Sequence, residues 1–152
     1  MRFFGIFFGA MIAVISSAPS FASSTQKCVA VNKAEIAQLF DRWNRSLKTG
    51  SSAKVAENYA SDAVLLPTLS NRIRRTDNER QEYFKEFLKK KPVGKTDSRT
   101  VRLGCNVAID TGTYTFTFKD GKKAPARYTF TYVWNGKKWL ISSHHSSAVP
   151  KG

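Results

Sequence analysis

Near Ser98 the spacing of apolar residues changes from 3.6 to 2. This switch constrains the fold more than any other feature of the chain, because one period belongs to helices and the other to half-buried strands. Before it, Ile36, Leu39, Phe40, Trp43 and Leu47 form one apolar stripe, and Tyr83, Phe84, Phe87 and Leu88 form another. After it, Tyr114, Phe116 and Phe118 share one face of a strand, and Tyr128, Phe130, Tyr132 and Trp134 share one face of the next. Thr113, Thr115, Thr117, Arg127, Thr129 and Thr131 occupy the opposite face. The aromatic face must be covered, and helices from the first half are there to cover it. The expected class is therefore α+β, helices on one face of a curved, mostly antiparallel sheet.

Local signals set the boundaries. Asn32 followed by Glu35, and Thr76 followed by Glu79, read as capping boxes opening two helices. Gly50 ends the first, and a short second helix follows Ser52. Residues 63–66 read as a short strand stopped by Pro67, and residues 71–75 as a second short strand or a loop. The third helix runs to about Lys90, and Pro92 forbids its continuation. Residues 99–109 form one strand or a bent pair. Asp120-Gly121 and Asn135-Gly136 are hairpin turns. The expected order is ααββαββββ.

Residues 1–22 read as a secretory signal peptide: Arg2, an apolar run over residues 3–15, then small residues at Ser20 and Ala22. The run is shorter than the roughly 20 residues a bilayer span needs. Residues 23–152 are then a single domain, exported to the periplasm or beyond. Cys28 and Cys105 would pair in an oxidising compartment; the alternative is two buried thiols. No spacing suits a metal site, and no cofactor is expected.

Lys plus Arg number 25 against 11 Asp plus Glu, a net charge of +14. A field of that sign attracts anionic lipid or nucleic acid, but no aromatic-basic stacking platform interleaves the lysines. An anionic surface is a candidate partner; a specific nucleic acid is not.

Four residues are candidates for ligand binding: Tyr59, Tyr114, Arg127 and His145. His145 alternates in phase with Trp139 and Ile141, which places it on the covered side and His144 on the other. It is also the one candidate catalytic residue, an acid or base near neutral pH. Asp62 and Asp110 read as turn residues, so no carboxylate pair for isomerase chemistry is visible.

The order of elements resembles the nuclear-transport-factor-2-like superfamily. The C-terminal run is more specific: Asn135-Gly136-Lys137-Lys138-Trp139-Leu140-Ile141, then His144-His145-Ser146-Ser147-Ala148-Val149-Pro150. It resembles the closing strand of the branch that holds the association domain of calcium/calmodulin-dependent protein kinase type II and its small bacterial, SnoaL-like relatives. Ile36 to Trp43, Tyr59-Ala60-Ser61-Asp62-Ala63-Val64-Leu65 and Asp120-Gly121-Lys122 fit the same pattern. The resemblance implies a cone-shaped fold of three helices on a curved sheet. It also implies a pocket inside the cone and self-association into a dimer or larger oligomer. No kinase activity is expected. The anion-binding arginines of the kinase hub do not carry over, since Arg127 alone lies on the corresponding hairpin strands.

Three functional readings follow. The first is a non-catalytic exported domain that binds a small apolar or amphipathic ligand, self-associates, or both. The second is a small isomerase or cyclase using His145 as base. The third is a basic envelope interaction protein.

Overall fold

The computed structural model describes residues 27–68 and 70–150; the expected signal peptide lies outside them. Helix α1 (Lys33–Lys48) opens on the Asn32 capping box, with Asn32 and Glu35 each accepting from the other's backbone N–H. Its buried stripe is Ile36, Phe40, Trp43 and Leu47. Gly50 follows with φ of +69°, a left-handed backbone that favours glycine. Helix α2 (Ser52–Ala56) is capped by Ser51. Strand β1 (Tyr59–Leu66) comes next, longer than the sequence suggests. Helix α3 (Asp77–Leu88) opens on the Thr76 capping box. Backbone N–H groups of Arg75 and Thr76, with Arg72, hold the Glu79 carboxyl down at about 2.

Four long strands complete the chain: β2 (Val93–Gly104), β3 (Val107–Thr117), β4 (Lys123–Trp134) and β5 (Trp139–Ala148). The sheet order is β1-β5-β4-β3-β2, parallel at β1–β5 and antiparallel elsewhere. The aromatic sets expected on one face, Tyr114 and Phe116 with Tyr128, Phe130 and Tyr132, are buried there against α1 and α3. No helix among the described residues is long and apolar enough to cross a membrane.

Two expectations are corrected. The order ααββαββββ loses one strand, because of the two alternatives for residues 71–75 the loop is the one found, with a single bridge between Leu65 and Arg74. Asp110-Thr111-Gly112 is not a turn but the middle of β3, and Asp110 is fully buried. Gly112 is there for a packing reason. β2 bulges at Asp97, between the pairs Thr96–Tyr114 and Ser98–Thr113, and a Cβ on Gly112 would collide with the Ser98 carbonyl.

The β2–β3 turn anchors the N-terminal segment. Cys28 and Cys105 form a disulfide across 77 residues. Beside it the Asn106 side chain accepts from Val29 N at 2.8 Å and donates to Lys27 O at 3.0 Å. Reduction frees a long loop, so melting with and without dithiothreitol should differ by the equivalent of about 2–5 kcal/mol.

Candidate functional site

The covered face of the sheet does not close completely. A cavity of about 130 Å³ lies between α3, the end of β1 and the β3–β5 strands. Its closed end is made by buried Trp43, Phe84, Tyr114, His144 and Ser146, and its mouth by half-buried Tyr83, Phe87 and Phe118. The lining carries no carboxylate, lysine or arginine. Its polar groups come from Thr68, Tyr83, Tyr114, His144 and Ser146, with the Trp43 indole N–H turned to Tyr59.

His144 occupies the place the sequence assigns to His145. β5 carries a bulge at Ser142, where Thr131 pairs with Ser143 but Tyr132 pairs with Ile141. Trp139 and Ile141 face inward as expected. The extra residue then shifts the phase by one, so His144 and Ser146 turn inward and His145 turns out. His144 opposes Phe130 on the inner face, and exposed His145 opposes Thr129 on the outer face. The expectation that His145 faces the covered side is therefore corrected. Arg127 is likewise exposed on the outer face, remote from the cavity. Tyr114 lines the cavity, and Tyr59 is buried directly behind His144.

Hydrogen bonds fix the protonation of this cluster. Trp43 Nε1, which can only donate, donates to Tyr59 Oη at 3.0 Å. Tyr59 Oη lies 2.8 Å from His144 Nδ1. The buried Tyr59 hydroxyl has one proton and this nitrogen as its remaining partner, so it donates and Nδ1 accepts. The His144 proton is thereby placed on Nε2, which is buried with no hydrogen-bond partner in the protein. His144 packs on Phe130 with ring centroids 4.1 Å apart and edge-on to Trp43 at 5.4 Å. Burial, with a smaller contribution from His145, pushes its pKa down to about 3, so the ring is neutral at ordinary pH.

The hydroxyls form a second line. Tyr114 Oη donates to Ser146 Oγ at 2.6 Å, and Ser146 Oγ lies 2.5 Å from Thr68 Oγ1. Ser146 Oγ can accept from Tyr114 and from Thr68 together, so either hydroxyl can donate across the second contact. The Thr68 hydroxyl, half-buried, ends the line. Burial raises the Tyr114 phenol well above its ordinary range, so it stays protonated.

The low His144 pKa has a measurable sign. An unfolded histidine takes a proton near pH 6.5, whereas the folded one refuses it until about pH 3. Stability is fully present above 6.5 and declines as pH falls from there toward 3. His144→Gln should remove this part of the acid sensitivity, read as the difference in urea midpoint between pH 7 and pH 4.5.

A separate polar cluster escapes sequence reading. Asp110 lies 3.1 Å from Arg99 Nε and accepts from Tyr128 Oη at 2.9 Å. Burial pushes the carboxyl above its ordinary range, and Arg99 and Tyr128 oppose the push. The Arg99 guanidinium lies over the Phe40 ring at 5.7 Å. None of these residues lines the cavity, so this carboxylate is not a base for it. Among the described residues no group of three or more His, Cys, Asp or Glu side chains could hold a metal ion.

Comparison with known proteins places this geometry. The family model for the calcium/calmodulin dependent protein kinase II association domain matches residues 32–150. A crystal structure from Xanthomonas campestris, assigned to that same association domain, is 47% identical with a TM-score of 0.75, over 84% of this chain and 98% of that one. A nuclear-transport-factor-2-like protein of unknown function from Pseudomonas putida is 18% identical, TM-score 0.69, over 78% and 87%. The iota-carbonic anhydrase of a cyanobacterium, complexed with bicarbonate, is 20% identical, TM-score 0.72, over 81% and 95%. The last two likenesses speak to the fold alone. No curated protein matches the chain.

Proposed function

This chain belongs to the calcium/calmodulin dependent protein kinase II association-domain family, and from that premise we propose that its cavity binds bicarbonate and interconverts it with carbon dioxide. The observation that carries the reading is the partnerless His144 Nε2 beside the Tyr114–Ser146–Thr68 hydroxyl line, in an otherwise aromatic cavity. Buried donors without acceptors are costly unless a ligand supplies the acceptor. A cavity of about 130 Å³ holds a ligand of a few heavy atoms, not a polycyclic one. Carbon dioxide is apolar and suits the rings; bicarbonate is a trigonal oxyanion and suits the donors.

The residues divide the work as follows. Trp43, Phe84 and Phe116 hold carbon dioxide and exclude bulk water. The hydroxyl line holds the attacking water. Its oxygen bonds to the carbon, one C–O π pair moves onto a carbon dioxide oxygen, and His144 Nε2–H stabilises that charge. The proton of the water passes from Ser146 to Thr68 and leaves to solvent. The products are bicarbonate and one proton; dehydration runs the same steps backward. This reading departs from the non-catalytic expectation because the inward histidine is a fixed donor, and from the isomerase expectation because His145 is outside the cavity. Stopped-flow hydration of carbon dioxide tests it. A rate that falls in Ser146→Ala and Tyr114→Phe supports it, and wild-type protein no faster than buffer refutes it.

The family is an association-domain family, and a second feature favours self-association here. Val107 and Ile109 are exposed side by side on the outer face of β3. An Ile109→Lys variant should sediment as a smaller species than wild type. Export completes the reading: the disulfide suits an oxidising compartment. Fractionation of the host, with the protein found only in the cytosol, would refute export.

A further inference from the structure

The inner donors are neutral, so the cavity by itself offers an anion no long-range attraction. The charge lies outside, around the mouth. Tyr83 and Phe87 belong both to the cavity and to an adjoining open concavity that contains Arg74 and Lys90. Phe118 belongs both to the cavity and to a second concavity on the other side, also reached by Lys90. Together these two recesses carry six cations and three carboxylates. Two of the carboxylates, Glu86 and Asp120, are already engaged by Lys89 and Lys122.

Arg74 is unusual within this set. Its backbone is locked to Leu65 by two 2.9 Å hydrogen bonds beside β1. Its guanidinium lies over the Tyr83 ring at 5.9 Å, and its Nη2 reaches Ser70 Oγ only at 3.4 Å. Its Nε is buried with no partner. Neighbouring Arg72 is neutralised by Glu79 at 2.8 Å, but no carboxylate among the described residues comes within ion-pair distance of Arg74. Across the mouth, Lys90 Nζ lies over the Phe118 ring at 5.8 Å. Two cations thus rest on the rings that form the entrance, and one of them, Arg74, has no carboxylate partner among the described residues.

The geometry points to an anion-capture vestibule, in which Arg74 is the specificity-determining residue and Lys90 assists it. The inference rests on the reading of the cavity as a bicarbonate site. The vestibule attracts the oxyanion over about a Debye length, roughly 8 Å at physiological ionic strength, and hands it to the neutral donors inside. A neutral molecule of the same shape gains nothing from it. The positive potential of Arg74 extends to an anion held in the cavity beside the mouth, so Arg74 governs bicarbonate affinity.

The test uses the full chain and three probes: ¹³C-bicarbonate, formate and the neutral near-isostere formamide, each titrated by NMR at low and physiological ionic strength. Arg74→Gln should weaken bicarbonate and formate by about threefold or more and flatten their salt dependence, leaving formamide unchanged. Arg74→Lys should retain much of the affinity. Lys90→Gln, at an exposed position that does not threaten folding, should weaken both anions about twofold. Lys137→Gln, on the distant β4–β5 hairpin, should change nothing. Anion affinities in Arg74→Gln and Lys90→Gln equal to wild type at both ionic strengths overturn the vestibule alone. Wild-type protein that ignores bicarbonate, yet binds formate in an Arg74-dependent way, overturns the bicarbonate reading and supports the vestibule.

Discussion

Replacing His144 with Ala lowers kcat/KM for carbon dioxide hydration by about 10²–10³-fold, the usual effect of deleting one donor to a developing oxyanion. His144→Gln recovers part of this loss, because its amide can keep an N–H donor toward the cavity while accepting from Tyr59. A base role predicts otherwise: glutamine cannot take a proton, so both variants would be equally inactive. The assignment as donor follows from the chain Trp43, Tyr59, His144: Trp43 can only donate to Tyr59, and His144 Nδ1 is the acceptor within reach of the Tyr59 proton. The pH profile follows too. With the ring pKa near 3, the hydration rate should show no histidine step between pH 6 and 8. His145→Ala should leave the rate as it is, since that ring is exposed on the opposite face. Stopped-flow assays of the three variants settle the assignment, and an active His144→Ala would end it.

Arg80→Met costs about 3–5 kcal/mol of stability, the largest effect expected from any single substitution outside the cavity. Arg80 is 1% exposed. Its Nη1 donates to Ala63 O at 2.7 Å and Arg75 O at 3.1 Å, and its Nη2 to Ala60 O at 3.2 Å and Ser61 O at 3.1 Å. The pairing of β1 with β5 explains why those carbonyls need it. The register jumps from Tyr59–Ile141 to Val64–Ser143, so the intervening stretch of β1 has no strand partner on that side. A guanidinium from α3 takes the place of the missing ladder. Its partial counter-ion, Asp77, lies 3.8 Å away and is half exposed, so the carbonyls carry most of the interaction. Methionine preserves the stem and orphans four acceptors, of which the buried Ala60 and Ala63 carbonyls are each worth about 1–3 kcal/mol if left dry. Urea unfolding of the purified variant measures the loss, and a change under 1 kcal/mol would refute this account.

The parts of the fold set by short-range rules were legible in the sequence. Asn32/Glu35 and Thr76/Glu79 open helices because the reciprocal bonds need only a spacing of three. Gly121 and Gly136 sit at hairpins with positive φ. The aromatic faces of β3 and β4 follow from strict alternation. Cys28 and Cys105 pair across the fold. What failed depends on contacts between distant segments. Asp110 looks like a turn residue beside Gly112, until Arg99 and Tyr128 arrive from neighbouring strands to hold it. Arg80 looks like a solvated helix residue, because nothing local announces that β1 will lack a partner. Tyr114 lines the cavity, and the inward histidine is His144, one position from the expected His145. A signal for that displacement was present only faintly, in the polar Ser142-Ser143 pair that breaks the apolar run of β5.

The bulge at Ser142 means that the identity of the cavity is stored in the pairing of β5 as well as in its letters. Two adjacent histidines stand ready, and a single spare residue upstream selects which one is shown to the interior. Pairing Ser142 into the ladder at unchanged length would exchange the addresses, with His145 and Ser147 inside and His144 and Ser146 outside, whereas deleting Ser142 would remove the bulge and leave His144 opposite Phe130. The cavity therefore depends on the bulge itself as well as on the residues that line it.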